Sequence, residues 1–151
     1  MIKNAISIVF FVVLLSTFGC APKQSIKHPE IILVNDLNNS IQIIAPKTWN
    51  TFKVNKSVSL LVTNSSNNDI SSDQDFGKHI FAIQNDQFVE LEDKMIVING
   101  QDIRLKPSES AGLSFRVETK NEQTVIRIYV TGKVDDTGEP VTAFIDLVLK
   151  P

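Results

Sequence analysis

Apolar residues follow two different patterns along the chain. Ala5 to Phe18 is apolar apart from Ser7, Ser16 and Thr17, it follows Lys3, and Ile8 to Leu15 is apolar on every face. A helix on the surface of a small domain needs a polar side, and a membrane span needs about 20 apolar residues. A short apolar run behind one positive charge instead has the build of a cleavable secretory signal over residues 1–19, with an uncleaved anchor as the rival reading.

After residue 30 the pattern changes to short runs of period two, the spacing of a strand with one buried face. Val58, Leu60 and Val62 alternate, and the polar turn Asn64 to Asn68 follows them. Ile80 to Ile83 and Phe88 to Leu91 flank a second turn at Gln84 to Gln87. Met95 to Ile98 and Asp102 to Leu105 flank Asn99-Gly100, a pair suited to a hairpin because both residues accept positive φ. Leu113, Phe115 and Val117 alternate next. Ile126, Ile128 and Val130 then share one strand face, and Ala143, Ile145, Leu147 and Leu149 share another across the turn Asp135 to Gly138. Pro140 cannot donate to a ladder and so starts the last strand. Ile31 to Val34 and Ile41 to Ile44 supply the first strands. The spacing predicts an all-β domain over residues 30–151, an antiparallel sandwich of roughly seven to nine strands behind the signal-peptide helix. A barrel of the same strand count fits the same pattern.

Composition narrows the functional classes. The 151 residues carry 15 basic and 17 acidic side chains, a formal net charge of −2, so no basic face exists to neutralise phosphates and no nucleic-acid partner is expected. With 42% hydrophobic and 21% charged residues the chain is globular rather than disordered. Its single cysteine, Cys20, excludes an internal disulfide.

That cysteine stands at the foot of the apolar run. Leu15-Ser16-Thr17-Phe18-Gly19-Cys20 resembles the lipid-attachment box of bacterial lipoproteins. Gly19 and Cys20 match the box, whereas Thr17 and Phe18 stand where the family usually has an aliphatic residue and a small one. The resemblance implies cleavage between Gly19 and Cys20 and a diacylglycerol on the thiol. It also implies anchoring to a membrane facing the periplasm or exterior, with Ala21 favouring the outer membrane in a cell that has two. Two or more acyl chains give stable anchoring where one is marginal. Residues 20–29, with Pro22 and Pro29, then form a lipidated tether.

A second resemblance concerns the domain. Val58-Ser59-Leu60-Leu61-Val62-Thr63-Asn64, Leu105-Lys106-Pro107-Ser108-Glu109-Ser110 and the closing run Val141 to Leu149 look like the immunoglobulin-like modules of bacterial envelope lipoproteins. One such group, the proteinase-inhibitor-like β-sandwiches, shares the strand ending in Thr-Asn and the later Leu-x-Pro turn, but its aromatic-rich middle is not reproduced, and Trp49 lies upstream. This implies a fold, and function belongs to sites rather than folds.

Candidate chemistry is sparse. His28 in the tether and His79 at a strand start lack zinc-ligand spacing. Asp136-Thr137-Gly138 spells the aspartic-protease triplet, but Asp135 and Glu139 add charge where a shared-proton dyad needs apolar walls, and a turn with Gly138 at positive φ explains the letters. Asp69, Asp73 and Asp75 lie in the polar stretch Asn64 to Gly77, yet Phe76 and Ala82 stand where a calcium loop needs Gly and Glu, so a solvated loop is expected. No G-x-S-x-G elbow or phosphate loop occurs. No catalytic, cofactor or metal residue is assigned. The sequence predicts a non-enzymatic binding or envelope-assembly module, held to the membrane through Cys20 and contacting an envelope protein, with the proteinase-inhibitor reading as the alternative and an enzyme third.

Overall fold

The computed structural model describes residues 40–45, 52–95, 101–120 and 122–151. Among these residues every regular element is a strand: β1 (Ile41–Ile44), β2 (Val58–Asn64), β3 (Ile70–Ser72), β4 (His79–Gln84), β5 (Gln87–Leu91), β6 (Ile103–Leu105), β7 (Ser110–Phe115), β8 (Thr124–Val134) and β9 (Pro140–Leu149). The signal-peptide helix, Gly19, Cys20, the tether with His28, the expected strand Ile31 to Val34, Trp49 and the Asn99-Gly100 turn lie outside the described residues.

The strands form two antiparallel sheets. The smaller has the order β1-β2-β7; the larger has the order β5-β4-β8-β3-β6, with β9 also paired to β8. The alternation read from the sequence fixes which side of each strand is buried. Leu60 faces Leu113 and Val58 faces Phe115 in the small sheet, while Ile126 faces Leu147 and Ile128 faces both Ile80 and Ile145 in the large one. These side chains join one continuous apolar cluster, with Leu60, Phe115, Ile126 and Ile128 at most 1% exposed. The two inner faces therefore pack on each other, as in a sandwich. Removing this apolar surface from water is the main force that holds the chain together.

The turns carry the conformations their residues favour. Asn85 and Asp86, both at positive φ (48° and 60°), make the two-residue link between β4 and β5. Gly138 (φ 70°) closes the β8–β9 turn with its N–H donating to the Val134 carbonyl at 2.8 Å, and Pro140 is the first residue of β9. The Asp-Thr-Gly triplet is thus part of this turn.

The stretch Asn64 to Gly77 departs from the expected solvated loop. Inside it, β3 pairs with β6 on one side and with β8 on the other, and Ile70 is only 2% exposed. β3 and β4 lie one after the other along the same edge of β8. Ile70 faces Val134 and His79 faces Tyr129, so nine steps along one strand match five along the other. The four extra residues bulge out between them. There Phe76 adopts φ 60°, which is uncommon for a bulky side chain, and is fixed by a 1% exposed ring and by its carbonyl accepting from the Thr131 N–H at 2.8 Å. Gly132 completes the fit, since a Cβ there would sit 2.8 Å from the Ser71 carbonyl oxygen.

Candidate functional site

The acidic residues of Asn64 to Gly77 do not converge. Asp69 pairs with Arg104 at 3.1 Å, and that guanidinium also binds Asp135 at 2.8 Å. Asp75 pairs with Lys78 at 3.0 Å, whose ammonium also lies 3.0 Å from Asp93. Asp73 lines a polar cleft of about 360 Å³ beside Asp102, Ser71 and Lys133. No group of three or more potential metal ligands occurs among the described residues. His79 opens β4, as its position in the sequence predicts, with its ring 3.3 Å from Glu90 and stacked 6.4 Å from Phe81.

Two motifs remote in sequence meet in one hydrogen-bond knot. The Asn64 side chain is fully buried; its Nδ2 donates to the carbonyls of Asn68 (2.7 Å) and Leu105 (2.9 Å), and its Oδ1 accepts from the N–H and hydroxyl of Ser66. Its backbone N–H donates to the Glu109 carbonyl, and its carbonyl accepts from the Ser108 N–H. The Thr-Asn strand end and the Leu-x-Pro-Ser-Glu turn are therefore two halves of one joint, and they position β6 rather than any reacting group.

The feature that packing does not account for is the outer face of the large sheet. The exterior of the small sheet is mixed: Ser59 meets Ser114 and Thr63 meets Ser110 through hydroxyl pairs at 2.9 and 2.7 Å, and Leu61 stands beside Ile44, both of them exposed. On the large sheet, cross-strand register instead lines up Glu90, Phe81, Arg127 and Asp146 across β5, β4, β8 and β9. A second row sets His79, Tyr129 and Phe144 side by side. The Phe81 ring meets Phe88 and Tyr129 edge-on, both at 5.9 Å, and Tyr129 lies 5.7 Å from Phe144. Such pairs add about 0.5–1.5 kcal/mol each beyond their burial.

Arg127 is embedded in this layer. Its Nε and Nη2 donate to the two carboxylate oxygens of Asp146, both at 2.6 Å, a bidentate fork that lysine could not form. Its guanidinium carbon lies 4.2 Å from the Phe144 ring centre and 5.3 Å from that of Phe88. The hydrogen bonds to Asp146 hold its proton more firmly than usual. Burial raises the Tyr129 phenol above its ordinary pKa near 10, and the hydrogen bond from Arg127 limits the rise.

This layer is buried at one end and open at the other. Tyr129 is 0% exposed, whereas Phe144 and Val148 are 37% and 42% exposed on the same face of β9. Aromatic side chains around a fixed arginine, with apolar area left in water, form a surface suited to a protein partner. Sequence reasoning missed it. The available signal was that Ile80–Ile83, Ile128–Val130 and Ala143–Ile145 are unbroken apolar runs rather than alternating ones, which marks strands apolar on both faces.

No protein-family model and no curated protein matches the sequence. Among solved structures, the chain is similar to an ASH / PapD-like domain of human CEP192 (PapD-like domain 7). The two are 11% identical, and the similarity covers 85% of this chain and 96% of that domain at a TM-score of 0.41.

Proposed function

We propose that the chain is an extracytoplasmic lipoprotein, anchored through Cys20, whose immunoglobulin-like sandwich is a non-enzymatic binding or assembly module of the cell envelope. The leader pattern and the Gly19-Cys20 pair support the anchor. The observation that carries the binding role is the exterior of the large sheet, where Phe144 and Val148 stand exposed beside the buried Arg127 and Tyr129. A partner that covered this end would extend an apolar layer whose rotamers are already held by Asp146 and by ring contacts. Little ordering entropy would then remain to be lost on binding.

A photo-crosslinking amino acid at Val148 or Phe144 in the full chain, expressed in its own cells, tests the surface. The expected result is one adduct of the same mass from both positions and none from Ser114 on the opposite sheet. Adducts of equal yield from all three positions, or none from β9, would contradict the binding role.

A further inference from the structure

We infer that the partner of the large sheet's outer face is an acidic protein segment, with an apolar residue over Phe144 and Val148 and carboxylates on Lys53, Lys56 and Lys150. The inference rests on the binding role proposed for that face and adds the partner's charge.

The end of β9 brings the lysines together. Beyond Leu149 the Lys150 N–H donates to the Phe52 carbonyl and its own carbonyl accepts from the Val54 N–H, both at 2.8 Å, so Lys53 and Lys150 lie side by side in a parallel bridge. Side chains alternate along an extended chain. Leu149 and Val54 belong to the core, and Lys150 and Lys53 therefore stand on the opposite side, the outer face that carries Phe144, Asp146 and Val148. Lys56 follows in the next turn, its N–H donating to the Lys53 carbonyl at 3.4 Å. All three lysines are exposed, and none makes an ion pair among the described residues. Like charges set side by side without a counter-charge are unfavourable, and an anion relieves them.

The apolar half of the site adjoins this charge. Val148 stands two residues before Lys150, about 7 Å away along the strand, and its neighbour across the ladder is the half-buried Val125. The acidic groups of the face do not cancel the lysines. Asp146 gives both its oxygens to Arg127, and Glu90 lies on β5, three strand spacings or about 14 Å from β9. They do decide between occupants. Asp146 is 41% exposed between Phe144 and Val148, so a layer of anionic lipid headgroups would set charge against it as well as against the lysines. A protein segment carries a different side chain at each position. It can leave Asp146 to Arg127 under an apolar residue and bring its carboxylates to the lysines, whose flexible stems reach them without exacting geometry.

The photo-crosslinker at Val148 in the full chain, expressed in its own cells, separates this inference from the reading it rests on. With Lys53→Glu and Lys150→Glu together, adduct yield should fall about fivefold or more, while Lys106→Glu, at the Asn64 joint, should leave it unchanged. Mass spectrometry of the adduct should place Asp or Glu within a few residues of the linked position. Synthetic peptides give a second measurement on the unaltered chain in non-ionic detergent. A labelled peptide of alternating glutamate and phenylalanine should bind about tenfold more tightly than its lysine counterpart, and added salt should shrink the difference. An unchanged yield in the double variant, equal binding of the two peptides, or a linked segment without carboxylates would overturn the inference and leave the binding role standing. A lipid adduct, or no adduct in the wild-type background, would remove both.

Discussion

Asn64, itself fully buried, uses both amide hydrogens and its amide oxygen, and its bond to the Leu105 carbonyl is buried as well. Replacing it by Ala removes the partner of the buried Leu105 carbonyl and of the Ser66 groups at once. The expected cost is about 2–3 kcal/mol, the penalty for leaving buried polar groups unpaired, read as a lower urea midpoint with an unchanged slope. Tyr129 offers a direct test of the aromatic layer because it is the chain's single tyrosine. Burial favours its neutral form, so the folded chain holds the phenolic proton to higher pH than the unfolded chain does. Below about pH 10 this contribution to stability is complete, and it is lost as pH rises through the native pKa. Phenolate absorbance should therefore titrate above pH 10 in the native protein and near 10 in denaturant. Coincident curves would mean the ring is in water.

Elements differ in how far local sequence dictates them. The β4–β5 and β8–β9 hairpins are legible because turn residues and alternating runs lie within a few positions of each other, so the phase of one strand fixes the next. β3 is not legible, since Ile70 is its only apolar residue and both of its partners are distant in sequence. Its existence rests on the bulge that lets β3 and β4 share one edge of β8, and on Phe76 filling the core from a strained backbone. Phe76→Ala keeps the strain and loses the burial, with an expected loss of about 3–5 kcal/mol. Gly132→Ala pushes a methyl toward the Ser71 carbonyl and should cost about 1–3 kcal/mol. Both losses are measurable by thermal or urea unfolding, and hydrogen exchange should rise first at Ile70 to Ser72.

On the scale of the whole molecule, unequal sheets leave one exterior mixed, with hydroxyl pairs beside the exposed Ile44 and Leu61, and the other aromatic around a buried arginine, and leave Val89 of β5 exposed. The core could be read in advance because burial on the inner faces follows period two. The outer layer is marked in the sequence only by unbroken apolar runs, because Phe81, Phe88, Arg127, Tyr129, Phe144 and Asp146 come from four strands and only register brings them together. A surface of this kind acts on whatever the proposed anchor brings near it, so attachment at Cys20 governs the whole reading. Growth with an alkyne fatty acid, followed by fractionation, tests that attachment in the wild-type chain and in Cys20→Ala. Label and membrane association in the wild type, both lost in the variant, are the predicted result; an unlabelled wild-type chain in the cytosol with residues 1–19 still attached would contradict it.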